Sequence, residues 1–264
     1  MGSTPETPPP PYFQRGNVTL YYGDCREVLP AVLQPGSVDL LLADPPYGET
    51  SLDWDAAVAG WTAALMPLLK PSGSLWCFGS LRFFMEQRDE FAGWKHAQDV
   101  VWEKHNGSSF HADRFKRVHE LAAQFYPASV PWGEVYKKPV TTPDATKRQV
   151  RRKQRPPHTG HIEASSYTSE DGGPRLMRSV IFVRSCHGYA EHPTQKPTGI
   201  VIPLLEYSCP PRGLAVSPFA GSGTDLDAAR LLGMRAVGCE VDERNCEKIA
   251  RRLSQETLPL FDVA

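Results

Sequence analysis

The last third of this chain restricts its fold most. Gly213 to Val216 is a short apolar strand, and Ser217-Pro-Phe-Ala-Gly-Ser-Gly-Thr224 is a glycine-rich turn. A helical pattern from about Thr224 to Leu232 stops at Gly233; a strand over Arg235–Val241 and a helix over Glu243–Leu253 follow. A strand–turn–helix–strand–helix unit this short demands a parallel strand pair with a crossover helix. It predicts an open α/β sheet of the dinucleotide-binding kind.

The rest of the chain fits such a sheet. Val18–Tyr22 predicts a short strand, and Ser37–Ala43 is an almost unbroken apolar run suited to a central parallel strand. Asp44-Pro-Pro-Tyr-Gly48 ends that run, since proline cannot continue a central strand. Val58, Trp61, Leu65, Leu68 and Leu69 recur at helical spacing, and Ser74–Phe78 predicts another buried strand. Val100–Trp102, Leu121–Tyr126 and Ser179–Val183 are further strand candidates, and a helix with Ile200, Leu204 and Leu205 on its apolar face should follow Pro197. Residues 1–16, with five prolines among the first eleven positions, predict a disordered tail. Residues 17–264 are then one domain carrying an insertion at about 131–175, rich in Pro, Lys, Arg, Ser, Thr and Gly and without periodicity.

At 264 residues, 41% hydrophobic, the chain can bury a sizeable core. No apolar run is long enough for a membrane span, and no secretion signal is read at the N-terminus, so a cytoplasmic protein is expected. The six cysteines form no Cys-x-x-Cys pair, which speaks against a metal site and for reduced core or surface thiols. The net charge of −1 hides a basic stripe: Lys137 to Arg155 holds eight Lys/Arg and a single acid, Asp144. Such a stripe matters more for phosphate binding than the whole-chain sum.

Two motifs carry chemistry. Gly221 and Gly223 let the backbone approach a ligand, and the amides of the following helix start favour an anionic group such as a carboxylate. Glu240, 17 residues after Gly223 and at the end of the next strand, can accept both hydroxyls of a ribose. No Gly-Lys-Ser/Thr follows, so a nucleoside carrying a carboxylate fits better than a nucleotide. Taken alone, these glycines could be no more than a tight turn. The second motif, Asp44 to Tyr47, leaves its strand at the carboxyl edge of the sheet. There the Asp44 carboxylate and the Pro45 carbonyl can hold the two hydrogens of a nucleobase amino group. The nitrogen lone pair would then face a methyl sulfonium for direct in-line transfer. Pro45 and Pro46 stiffen the turn, and Tyr47 offers a face for the base.

Asp44-Pro-Pro-Tyr47 followed by Phe219-Ala-Gly-Ser-Gly-Thr224 resembles the amino-methyltransferases that modify DNA at adenine N6 or cytosine N4, in the motif order of their permuted β group. Tyr22-Gly-Asp24, Val38-Asp39, Trp102-Glu-Lys104, His119-Glu120 and His192-Pro-Thr-Gln-Lys-Pro197 also resemble family positions. The resemblance implies a seven-stranded, mostly parallel Rossmann-like sheet and S-adenosyl-L-methionine as cofactor. It further implies a flipped-out base in double-stranded DNA. By the resemblance Asp44, Pro45, Pro46 and Tyr47 are catalytic. Asp24, Thr194, Lys196, Pro197, Pro218, Phe219, Ala220, Gly221, Ser222, Gly223, Thr224 and Glu240 belong to the cofactor site. In one departure the family usually has Asp before Pro-Phe, where this chain has Ser217.

The family's Asp-Pro-Pro-Tyr is commoner in adenine enzymes, so adenine N6 is the expected target and cytosine N4 the alternative. The insertion stands where the family places target-recognition material. Lys137, Lys138, Lys147, Arg148, Arg151, Arg152, Lys153 and Arg155 are its candidate DNA contacts. A solvated linker would explain the same composition. A homodimer and a cognate restriction endonuclease are candidate partners; neither a metal nor a membrane is expected. An inactive DNA-binding relative, and an enzyme acting on RNA or protein, are the competing readings; the intact tetrad and Gly-Ser-Gly turn weigh against them.

Overall fold

The computed structural model describes residues 8–49, 55–108, 112–152, 165–186 and 195–255. Contacts divide the chain into a larger unit, residues up to 138 together with those from 179 onward, and a smaller one, residues 139–178. In chain order the strands are β1 (Phe13–Arg15), β2 (Val18–Tyr22), β3 (Val38–Ala43), β4 (Leu69–Gly79), β5 (Trp94–Ser108), β6 (Arg117–Pro127), β7 (Thr141–Thr142), β8 (Arg148–Arg152), β9 (Ser165–Ser169), β10 (Arg175–Leu176), β11 (Val180–Phe182), β12 (Leu214–Ser217) and β13 (Arg235–Glu240). The α-helices are α1 (Cys25–Val32), α2 (Trp61–Leu65), α3 (Leu81–Glu86), α4 (Thr198–Ser208), α5 (Thr224–Leu231) and α6 (Glu243–Ser254).

The larger unit holds a nine-stranded sheet in the order β1-β2-β13-β12-β3-β4-β6-β5-β11. The run from β2 to β4 is parallel throughout, and β6 is antiparallel to both of its neighbours. Every residue of β3 and β12 is buried, as strands covered on both faces must be. Leu40 and Leu42 pack on one face with α4, α5 and α6. Leu41 and Ala43 pack on the other with α1, α2 and α3. The three leucines are wholly buried, each worth about 2–3 kcal/mol of transfer free energy. Asp39, also buried in β3, is satisfied by Lys70 Nζ at 2.7 Å and by the Leu214 amide at 2.8 Å.

The strand order sets the site. From β12 the chain crosses through α5 to β13 on one side, whereas from β3 it crosses through α2 to β4 on the other. β12 and β3 are themselves neighbours, with Ala215 opposite Leu40 and Val216 opposite Leu41. Their carboxyl ends therefore flank the point where the winding reverses, which is where open α/β sheets bind ligands.

Several expectations are corrected. Among the described residues the mostly parallel sheet has nine strands where seven were expected, because β1 adds a hairpin to β2 and β11 adds a parallel edge strand to β5. Part of the stretch expected to be a disordered tail is ordered: Gly16, at φ +57°, turns β1 back onto β2, and the Tyr12 amide donates to Leu20 O at 2.8 Å. The helix expected over Val58–Leu69 is only Trp61–Leu65 followed by a 3-10 turn at Met66–Leu68, where Pro67 removes an amide. All six cysteines are free and buried, so none is a surface thiol.

The smaller unit is not featureless. β7 pairs with β10 and β8 with β9, with Val150 opposite Tyr167. Its bounds also differ from the expected 131–175. Residues 131–138 belong to the larger unit, where Val135 is buried and the Tyr136 and Lys138 amides donate to Ser72 O and Tyr207 O.

Candidate active site

A cavity of about 650 Å³ opens at the carboxyl ends of β3 and β12, within the roughly 300–1,000 Å³ range of ligand pockets. It brings together motifs that stand far apart in the sequence. Asp44, Pro45, Pro46 and Tyr47 form one wall. Pro218, Phe219, Ala220, Gly221, Ser222 and Thr224 form another, with Asp24, Glu240 and Lys196 completing it.

Of the remaining cofactor-site expectations, Gly223 and Pro197 do not line the cavity. Gly223 stands behind the turn as N-cap of α5, at φ +71°, against Ile249. Pro197 is the residue before α4 and serves its start. Thr194 lies outside the described residues. A Cβ at Gly223 would meet Ile249 Cγ2 at 2.9 Å, and the left-handed backbone adds strain. Gly223→Ala should therefore cost about 2 kcal/mol. Gly233→Ala, at φ +68° with open space around it, should cost about 1 kcal/mol; thermal unfolding of the two variants checks the difference.

Asp44 sits in a buried network. Its Oδ2 accepts from Lys196 Nζ at 2.6 Å and its Oδ1 from the Tyr47 hydroxyl at 2.8 Å. Lys196 also lies 2.9 Å from Glu120 Oε1, whose other oxygen takes Lys104 Nζ at 2.6 Å. Tyr47 reaches Glu120 as well, at 2.7 Å, although it has one hydrogen for two acceptors. Two carboxylates and two ammonium groups thus balance in a largely buried space. Burial pushes the Asp44 carboxyl above its ordinary value, and Lys196 offsets this only in part. Burial would push Glu120 up too, but Lys196 and Lys104 together hold it down at about 2. Burial keeps the Tyr47 hydroxyl protonated, reinforced by both carboxylates. Lys196 therefore faces the catalytic candidate Asp44, where the resemblance had counted it with the cofactor.

Glu240 is fixed by the sheet and the turn. Its Oε2 accepts the Gly221 amide at 2.7 Å and its Oε1 the Asp242 amide at 2.9 Å. Its carboxylate also accepts from the Asn245 side chain, and burial pushes it above its ordinary value. Asp24 caps α1 and is paired with Arg26 at 2.5 Å, which holds its carboxyl low. Phe219 is braced edge-on by Trp61, with ring centroids 5.3 Å apart.

Of the expected DNA contacts, Lys137 spends its ammonium on Trp132 O and Val135 O and over the Trp132 ring. Lys138 is held through its backbone amide. Lys147, Arg148 and Arg151 are exposed in the smaller unit, with Arg148, Arg151 and Arg152 on β8. Lys153 and Arg155 lie outside the described residues. Sequence reading missed Asp225 and the basic aromatic rim. Phe115 is fully exposed at the cavity mouth beside Arg114 and Arg117. The run Arg114-Phe-Lys-Arg117 was the available signal. Among the described residues no group of His, Cys, Asp and Glu is placed to hold a metal ion, and no helix is long and apolar enough to cross a membrane.

A doubly wound α/β protein with a strand-end carboxylate, a glycine turn and a half-buried aspartate at its switch point has the layout of a nucleoside-cofactor transferase. The chain belongs to the N6/N4 amino-methyltransferase family described as DNA methylase, whose model matches residues 38–252, and it is a DNA methyltransferase. The family uses S-adenosylmethionine. The Type II methyltransferase M2.LlaDCHI of Lactococcus lactis subsp. cremoris is 24% identical over 92% of this chain and 91% of its own length. The M1.HpyAVI–SAM complex is similar in fold, with TM-score 0.61 and 21% identity over 90% of this chain and all of that one. PvuII DNA methyltransferase, described as cytosine-N4-specific, aligns with TM-score 0.65 at 15% identity over 94% of this chain and 90% of its own.

Proposed function

We propose that the protein transfers a methyl group from S-adenosylmethionine to the N6 amino group of adenine at a specific site in duplex DNA. The observation that carries this reading is Asp44, held at the end of β3 on the wall of the cavity that the glycine turn also lines. When bound, the cofactor supplies an electrophilic methyl group on a sulfonium. Glu240 would accept its ribose hydroxyls, Asp24 would contact its adenine, and the glycine turn would bring backbone amides to its carboxylate.

The amino group of a base is a poor nucleophile because its lone pair is delocalised into the ring. Asp44 Oδ and Pro45 O would take its two hydrogens and aim the lone pair into the cavity. Freeing Asp44 for this role costs Tyr47 little, because the single Tyr47 hydrogen has Glu120 as its second acceptor at 2.7 Å. The proton released after transfer leaves to water. A flipped base would enter past Phe115, Arg114 and Arg117, which give the mouth an aromatic face and positive charge toward phosphates.

The aspartate at the first position of the tetrad supports adenine over cytosine. Methylated duplex DNA digested to nucleosides should yield N6-methyladenine. N4-methylcytosine instead would keep the mechanism and overturn the base. A cytoplasmic restriction-modification role, with a cognate endonuclease and a homodimeric enzyme, accompanies this reading, and Arg148, Arg151 and Arg152 are its proposed phosphate contacts in the smaller unit.

A further inference from the structure

We infer that Asp225 is the carboxylate that receives the α-ammonium group of the bound methyl donor, acting from the first turn of α5 in place of an acid at position 217. The inference rests on the assignment of the cavity to S-adenosylmethionine. Three observations carry it. Where the resemblance expects an acid, this chain has Ser217, buried at the end of β12. The Ser217 hydroxyl donates to Asp225 Oδ2 at 3.0 Å, so the carboxylate missing from position 217 is supplied within hydrogen-bond reach of it. And Asp225 lines the same cavity as Asp44 and the glycine turn.

What distinguishes Asp225 from these neighbours on the wall is that it has neither a cation nor a set of several donors. Asp24 is paired with Arg26, Asp44 and Glu120 with Lys196, and Glu240 accepts from two backbone amides and the Asn245 side chain. Asp225 has the Ser217 hydroxyl and, among the described residues, no ion pair. A part-buried carboxylate with one neutral donor is poorly compensated. Burial, with the Asp44 charge added, accordingly pushes its carboxyl up to about 7. A ligand ammonium would supply the missing charge as a charge-assisted hydrogen bond. An acid at 225 in place of one at 217 moves the charge from the end of the strand to the start of the helix.

Calorimetric binding of S-adenosylhomocysteine and of 5′-methylthioadenosine tests this. The first carries the α-ammonium and no sulfonium; the second lacks the amino-acid moiety altogether. Asp225→Asn should bind S-adenosylhomocysteine about 10–100-fold more weakly, the worth of one charge-assisted contact, and methylthioadenosine within about threefold of wild type. The exchange variant Ser217→Asp/Asp225→Ser should recover most of the lost affinity. Unchanged S-adenosylhomocysteine binding by Asp225→Asn, or equal loss of both ligands, would overturn the inference while leaving the cavity's assignment standing. Wild type that binds neither ligand would overturn that assignment and the inference with it.

Discussion

Lys196→Met is expected to lower folding stability by about 3–5 kcal/mol, the usual cost of removing one partner from a buried charge cluster. The Lys196 ammonium is 2.6 Å from Asp44 and 2.9 Å from Glu120, and it is itself almost wholly buried. Without it the two carboxylates share one Tyr47 hydrogen, and Lys104 neutralises only Glu120. The pH dependence follows in sign. The Asp44 carboxyl already lies above its ordinary value, and losing the cation raises it further. The folded variant then binds a proton that the unfolded chain does not, so its stability falls as pH rises through that range. Urea unfolding should show the deficit shrinking between pH 8 and pH 5. A deficit below about 1 kcal/mol at pH 8, or one that grows on acidification, would contradict the network.

Asp44→Ala should reduce methyl transfer by about 10²–10³-fold, as expected when one preorganised polar contact to the reacting group is lost. Cofactor affinity should stay within about threefold, because Glu240, Asp24 and the glycine turn make no hydrogen bond or ion pair with Asp44 among the described residues. Folding should survive as well, since Lys196 keeps Glu120 as its partner at 2.9 Å. Single-turnover transfer combined with cofactor titration separates the two effects. Transfer within tenfold of wild type would remove Asp44 from the chemistry.

The parts of the fold that could be read from sequence were those where burial on both faces leaves an apolar run. β3, β12 and β13 are of this kind, whereas α6 was legible from helical periodicity, its Cys246, Ile249 and Leu253 recurring on one buried face. The long β5–β6 pair was seen only in its apolar middle, because its ends carry polar residues such as Lys95, Gln98 and Asp99 that pair across the strands. α1 was missed, being eight residues long with Pro30 inside it. β8 is almost entirely polar, so hydrophobic periodicity could not reveal it; its partner was set by backbone pairing and the Val150–Tyr167 contact.

The site divides in the same way. Asp44, the glycine turn and Glu240 follow strands directly, so local pattern located them. Lys196 was placed by the resemblance, but its partners were not. Glu120 reaches Asp44's neighbourhood only through the register of β4 with β6, where Gly79 stands opposite Leu121. Asp225 had a local signal that went unused: a missing acid at one end of a tight turn and an acid eight residues later at the other.

The central claim is that this cavity methylates DNA, and labelled methyl transfer from S-adenosylmethionine tests it most directly. Mixed-sequence duplex DNA, RNA and protein would be offered to the wild-type enzyme in equal mass. Label should enter the DNA, on a base amino nitrogen, and leave RNA and protein near background. Stoichiometric cofactor binding with label in RNA or protein, or in no substrate at all, would contradict it.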